Sequence, residues 1–231
     1  MRLKDIDRRV VIAGFAALPL LGCDARNAKV KPEARPNLEE PRLPAGLIEL
    51  TDLDPTIRLD IRYATLNNFT GRQFYSQPRA FLVAPAAKAL LNAHRAAQAV
   101  GFGLTIYDAY RPWRVTKALW DATPPGPQRN YVANPKRGSK HNRGCAVDLT
   151  LHRPTDGIEV AMPSGYDEFT RRAHRNFMAA PAESIQHRDL LERLMQAAGF
   201  RGASNEWWHF DFIGWEDYPV LDIAFDQIDL S

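Results

Sequence analysis

Apolar and polar positions along the chain follow two different periods, and the switches between them mark out its elements. In TIRLDIRYA, Ile57, Leu59, Ile61 and Tyr63 alternate with Arg58, Asp60 and Arg62, which predicts a half-buried strand. APAAKALLNAHRAAQAVG has helical spacing, with Pro85 near its start and Gly101 just past its end. LTIYDA, Leu104 to Ala109, is a short strand that breaks at YRP, and Trp113 to Ala122 can form another helix. Thr123 to Lys140 is rich in Pro, Gly and Asn and predicts a long loop. Cys145 to Leu151 is a near-continuous apolar strand interrupted by Asp148. RDLLERLMQAAG is a helix closed by Gly199, and Glu206 to Ile213 returns to strand. There is no regular strand–helix–strand repeat, no internal repeat and no Gly-rich phosphate loop, so an α+β domain is expected.

The N-terminal pattern is of another kind. Arg2, Lys4, Arg8 and Arg9 precede an apolar run from Val10 to Leu21, followed by Gly22 and Cys23. A basic stretch, a short apolar run and small residues before a cysteine read as an export signal. LLGC is similar to a bacterial lipobox, in which Cys23 is lipidated and becomes the first residue of the mature chain; a buried thiol in an N-terminal helix is the other reading. DRRVVIAG loosely resembles a twin-arginine export signal. Asp24 to Gly46 holds four prolines, many charges and few large apolar residues, too little apolar surface to fold, and reads as a tether. The expected organisation is a lipoprotein signal at 1–22, a flexible tether at 23–46 and one globular domain at 47–231. Such a chain is exported and held to a bacterial inner or outer membrane through its N-terminal lipid, on the periplasmic side.

Composition sharpens this picture in two places. The net charge is +3, but residues 1–22 carry four of the basic and two of the acidic residues, which leaves 26 against 25, or +1, for the rest. The basicity belongs mainly to the leader and makes no case for nucleic acid. The chain has two cysteines; with Cys23 lipidated, Cys145 has no partner, and no disulfide framework is expected.

The chemistry begins with Asp148. A carboxylate within an apolar strand is costly unless it is paired or metal-bound. His141, seven positions upstream in a loop bent by Gly144, is the nearest partner in sequence. Catalytic zinc sites use three protein ligands drawn from His and Asp/Glu and keep a fourth position open for water, so this pair is one short. EWWH supplies the third, His209, with Glu206 three residues before it. That offset puts Glu206 and His209 on one side of a bend or turn, with Glu206 beside the open position as a base rather than on the metal. A metallohydrolase is expected. A structural His–Asp pair and a His packed among tryptophans are the bland readings of the two motifs taken singly.

The motifs also resemble a known family. SKHNRGCAVDLTL matches the Ser-x-His-x-x-Gly-x-Ala-x-Asp signature of zinc D-alanyl-D-alanine peptidases, and EWWHF matches their Glu-x-x-His element. IRYATLNNFTG, YDAYRP and MPSGYDEFTRRAH, in that order, are similar to the VanX-type D-alanyl-D-alanine dipeptidases, and the resemblance covers about Leu53 to Phe212. It implies one Zn2+ per domain held by His141, Asp148 and His209, with Glu206 as general base. It further implies Arg111 at the oxyanion, Asp108 orienting Arg111, Tyr63 and Asp167 at the substrate's ammonium, and Ser139 on the substrate. The fold it implies is a small, mainly antiparallel sheet flanked by helices, and the reaction is hydrolysis of the D-alanyl-D-alanine dipeptide to two D-alanines. The leader and tether depart from many relatives, which lack them.

Without the zinc site, a surface ion pair would be the favoured reading of Arg111, and Asp167 could cap a following helix. His94 and His187 are expected to be solvated or at the edge of the core, His152 too far along its strand to share the metal, His174 without a role, and Cys145 filler. Two rival functions remain: a zinc D,D-carboxypeptidase or endopeptidase on peptidoglycan stem peptides, and a non-enzymatic lipoprotein with a vestigial zinc site. Glu206 argues against the latter, since a structural site has no use for a base. The expected partners are the small-molecule dipeptide and, through the lipid, a membrane; no protein partner is inferred.

Overall fold

The computed structural model of the protein describes residues 46–228. The expected signal segment, Cys23 and the tether up to residue 45 lie outside the described residues. The first elements are a strand β1 (Leu47–Glu49) running into a short helix α1 (Leu50–Leu53), then a two-residue strand β2 (Arg58–Leu59). β3 (Phe81–Val83) pairs antiparallel with β1 and leads directly into helix α2 (Ala84–Ala99). After β4 (Gly103–Asp108) come α3 (Trp113–Ala122), β5 (Ala146–His152), α4 (Ala182–Ala197), β6 (Phe200–Gly202) and β7 (His209–Phe212). Five strands form one sheet in the order β2-β4-β5-β7-β6, in which only the β2–β4 pair is parallel. The fold is α+β with a mainly antiparallel sheet.

Every residue of β4 and β5 is buried, so both faces of the sheet are covered at its centre. The register sorts side chains by face. Leu104 and Ile106 lie opposite Leu151 and Leu149, and Val147 lies opposite Phe210. This apolar set shares the core with Leu90, Ala93, Leu191 and Met195 of α2 and α4. The opposite face carries Asp148 with His209 directly across from it, and Ala146 with Asp211 across from it. A register shift between Ile106 and Asp108 brings Asp108 opposite Asp148. Bulges of this sort re-aim a side chain next to functional sites. Here the bulge sets two carboxylates side by side.

Several predicted elements come out shorter or displaced. The expected strand over Ile57 to Tyr63 pairs with β4 only at Arg58 and Leu59, then folds into a 3-10 turn at Arg62–Ala64. The alternation there marks burial (Ile57, Ile61 and Tyr63 are all inside) without a neighbouring strand to continue the ladder. The last helix begins at Ala182, six residues before Arg188, and strand β7 begins at His209, after a turn that holds Glu206. His94 is fully buried, not solvated or at the core edge: its Nδ1 accepts from the Leu104 amide at 3.3 Å and its Nε2 lies 2.8 Å from the Thr56 hydroxyl. No helix starts directly after Asp167, so it caps none; the next helical turn, Arg171–Ala173, is capped by Thr170.

Candidate active site

His141 stands in a 3-10 turn (His141–Arg143) just before β5. Gly144 closes that turn at φ 65°, and a Cβ there would come within 2.7 Å of Leu47 Cδ2 and 3.2 Å of the Val83 amide nitrogen, so only glycine fits. Asn142, fully buried, ties the turn to its surroundings. Its side chain accepts from the Ser139 amide at 2.8 Å and donates to the Arg111 carbonyl and the Thr116 hydroxyl, both at 2.8 Å. The Arg111 amide in turn donates to the His141 carbonyl at 3.0 Å. Arg111 and His141 are therefore fixed relative to one another by backbone.

The turn Glu206–His209 is held from behind. Trp207 and Trp208 are buried, the Trp207 amide donates to Ala173 O and its indole to Ser164 Oγ, each at 2.9 Å. The Arg175 guanidinium donates to the carbonyls of Ala203 at 2.6 Å and His209 at 2.8 Å. Gly202 leaves the space for that guanidinium, since a Cβ would meet it at 2.1 Å.

His141, Asp148 and His209 then meet: one ligand atom from each lies within 4.8 Å of the others. His141 Nδ1 is 2.7 Å from the Ala109 carbonyl, which can only accept, so that nitrogen carries the proton and Nε2 presents a lone pair. His209 Nε2 faces the Asp211 carboxylate at 2.8 Å and donates to it, which leaves Nδ1 for the site. His141 Nε2 and His209 Nδ1 are 3.1 Å apart, and Asp148 Oδ1 is 3.3 Å from the first and 2.9 Å from the second. Three acceptor atoms thus converge on one point, an arrangement suited to a cation. In the chain without metal a proton serves. Burial opposes an imidazolium at His209, but the Asp211 charge and hydrogen bonds to Asp148 and Asp211 outweigh it and push the pKa up to about 10. Burial likewise works against the Asp148 carboxylate, yet the neighbouring histidines, His141 first, and the hydrogen bond from His209 hold it well below the usual range. A two-histidine, one-carboxylate set matches the ligand chemistry of catalytic zinc.

Asp148 Oδ2 turns the other way. It accepts from the Tyr166 hydroxyl at 3.1 Å and sits 3.8 Å from Arg111 Nη2. Arg111 is buried and grips Asp108 Oδ2 through Nε at 2.8 Å and Nη2 at 2.7 Å, while the Tyr75 hydroxyl donates to Asp108 Oδ1 at 2.8 Å. Arg111 is therefore no surface ion pair. Its charge separates the facing carboxylates of Asp108 and Asp148, and its guanidinium lies 5.2 Å from the Tyr63 ring centre.

A cleft of about 660 Å³ opens over these atoms, and Tyr63, Arg111, Ser139, His141, Asp148, Asp167, Glu206 and His209 all line it. Asp108 stands behind Arg111. The Ser139 hydroxyl accepts from the His141 amide at 3.2 Å. The Tyr63 hydroxyl donates to Asp167 at 3.1 Å. Burial, then the charges of Asp148 and Glu206, hold the Asp167 carboxyl well above its ordinary range. Burial is also the main cause that pushes Glu206 up to about 7; His209 opposes it and Asp148 adds to it. The site brings together every expected residue except Cys23, which lies outside the described residues. His152 instead faces Thr105, at 3.0 Å, and His174 faces the Tyr131 hydroxyl at 3.1 Å. Cys145 is buried, with its thiol pushed up to about 12 by burial, and its Sγ donates to Arg143 O at 3.4 Å.

Four contributors had gone unnoticed in the sequence: Asp211, Tyr166, Tyr75 and Asn142. Asp211 could have been found from strand parity, since it lies two residues beyond His209 on the same face. Tyr166 precedes Asp167 in GYDEF, where its hydroxyl gave no sign of its target.

The Peptidase_M15 profile, described as D-ala-D-ala dipeptidase, matches residues 44–226. The D-alanyl-D-alanine dipeptidase of Escherichia coli (strain K12) is 39% identical over 175 residues, covering 76% of this chain and 89% of the relative. That of Enterococcus faecium is 33% identical over 198 residues, covering 78% and 96%. A crystal structure of the vancomycin resistance D,D-dipeptidase VanXYg, in complex with a D-Ala-D-Ala phosphinate analog, aligns with a TM-score of 0.39 at 20% identity, over 74% of this chain and 69% of that one. By the extent of the profile match and the identity to these relatives, the chain belongs to the Peptidase_M15, D-ala-D-ala dipeptidase family and is a metallopeptidase.

Proposed function

We propose that the chain hydrolyses the D-alanyl-D-alanine dipeptide to two D-alanines at a site that holds one zinc ion. The observation that carries this reading is the convergence of His141 Nε2, His209 Nδ1 and Asp148 Oδ1, with the outer nitrogen of each imidazole already committed to another acceptor. Zinc, when bound, supplies a Lewis acid for the scissile carbonyl and lowers the pKa of water. The remaining steps fall to the chain's own residues. Glu206, at the cleft wall with its pKa near neutrality, takes a proton from the attacking water and returns it to the leaving amine. Arg111, locked by Asp108, offers a fixed cation to the oxygen that becomes negative as the carbonyl turns tetrahedral. Asp167, with Tyr63, receives the free ammonium of the dipeptide, and Ser139 lines the cleft beside the bound substrate.

The experiment loads the full chain with zinc and measures D-alanine release from free D-alanyl-D-alanine, its N-acetyl derivative and a pentapeptide stem. Rapid release from the free dipeptide alone is expected. Equal rates on dipeptide and pentapeptide would favour a D,D-carboxypeptidase, and no release from any would favour a vestigial site. Full activity after exhaustive chelation would remove zinc from the reading. The LLGC element supports a further part of the proposal, that the chain is exported and anchored in a bacterial membrane by lipid on Cys23.

A further inference from the structure

We propose that Asp211 is a positioning residue for the metal site: its carboxylate, anchored by Lys140, fixes the ring of His209 so that Nδ1 faces His141 and Asp148. The inference rests on the zinc reading of those three residues. His209 and Asp211 are two residues apart on β7 and so share a face of the sheet. Across from them on β5 stand Asp148 and Ala146. The small Ala146 leaves room for the Asp211 side chain to lie along the strand toward the imidazole. Asp211 Oδ1 is 2.8 Å from His209 Nε2, and Oδ2 is 3.4 Å from Lys140 Nζ. Both oxygens are occupied, which leaves the carboxylate little freedom to swing away.

An imidazole turned over about its Cβ–Cγ bond would present a C–H where Nδ1 now lies, and one of three ligands would be lost. Asp211 excludes that orientation because the flipped ring would also put a C–H against the carboxylate. His141 needs no such side chain, since a backbone carbonyl, Ala109 O, holds its Nδ1 at 2.7 Å. One ligand is thus set by main chain and the other by a residue that substitution can remove. Lys140 is the neighbour of His141 in sequence, and its ammonium lies 5.2 Å from the Trp215 ring centre. The loop that delivers the first ligand therefore also clamps the partner of the third. Carboxylates in this relation to a ligating histidine raise its basicity as well as orienting it, and their loss typically weakens metal binding about 10- to 100-fold.

The test uses the full-length chain and its Asp211→Ala, Asp211→Asn and Lys140→Met variants. Zinc affinity is measured by competition with a chelator, the visible spectrum is recorded with Co2+ in place of zinc, and melting is followed without metal. Asp211→Ala should bind zinc about 10- to 100-fold more weakly and shift the Co2+ spectrum, while still unfolding cooperatively without metal. Asp211→Asn keeps an oxygen that accepts from Nε2–H and should recover most of the affinity; Lys140→Met should lose a smaller part. Should Asp211→Ala not fold, Asp211→Thr, suited to a strand but too short to reach Nε2, decides by the same measurements. Wild-type zinc affinity and Co2+ spectrum in the alanine or threonine variant would overturn the proposal. So would equal losses in Asp211→Ala and Asp211→Asn, which would show that charge alone matters. A wild-type chain that binds no zinc would instead overturn the zinc reading beneath it.

Discussion

The Tyr63 hydroxyl donates to the Asp167 carboxylate at 3.1 Å, joining a 3-10 turn near the start of the domain to a loop 104 residues later. Among the described residues Asp167 is the one non-glycine residue with positive φ, 56°, a conformation that costs roughly 1–2 kcal/mol. Burial, Asp148 and Glu206 all work against its negative charge. A strained backbone that holds a disfavoured carboxylate in a cleft suits a cationic ligand, and the ammonium of a free dipeptide is one.

Asp167→Ala should lower kcat/KM on free D-alanyl-D-alanine by the ~2–5 kcal/mol typical of breaking a buried charge pair, about 30- to several-thousand-fold. It should also narrow the preference for free over N-acetylated dipeptide. A variant that retained the full preference would place ammonium recognition elsewhere.

Glu206 should separate chemistry from metal binding. Glu206→Gln is expected to keep its zinc yet lose ~10²–10⁴-fold in kcat. A base works ionised, so wild-type kcat/KM should fall as pH drops through the pKa of Glu206, at or below about 7 with a cation beside it. The glutamine variant should lack that limb. Loss of zinc from Glu206→Gln would make Glu206 a ligand instead.

His94 gives a prediction about stability. Burial lowers its pKa from the ordinary 6.5, with Asp54 partly opposing, and a proton on Nδ1 would face the Leu104 amide, itself a donor. A histidine that is neutral when folded contributes stability above its unfolded pKa and loses it as pH falls through and below about 6.5. The melting-temperature advantage of wild type over His94→Gln should therefore be full near pH 7.5 and shrink toward pH 5. An advantage that grew on acidification would contradict it.

Cys23 can be tested by fractionation. Cys23→Ser should move the protein from the membrane fraction to the soluble periplasm, because the lipid would be missing. Wild-type protein found soluble and still carrying residues 1–22 would remove both export and anchor.

What was legible in the sequence followed from strong local signals. α2 runs from Ala84, one residue before the predicted Pro85, to Ala99, two before Gly101, and α3 spans the predicted Trp113–Ala122. Asp148 stood out because a carboxylate in an apolar strand needs a reason. Long-range pairing was harder to see. That Ile57 to Tyr63 would pair over only two residues depends on what lies beside it, and periodicity reports burial alone. His94 looked like an edge residue because the Thr56 and Leu104 groups that satisfy it come from other elements. Asp167 had the residue type of a cap, but no helix starts directly after it. Tyr166 and Asn142 act through polar atoms whose partners lie 18 and about 30 residues away, beyond any local pattern.

The pairing of β5 with β7 sets Asp148 opposite His209 at a single register, and His141 enters from the turn just before β5. A slip of one residue would send Asp148 and His209 to opposite faces of the sheet. A zinc ion held there as proposed would therefore act as a proofreader of folding. It would be held by all three residues only in chains whose segments 61 residues apart have aligned correctly, and its binding energy would favour that alignment over others.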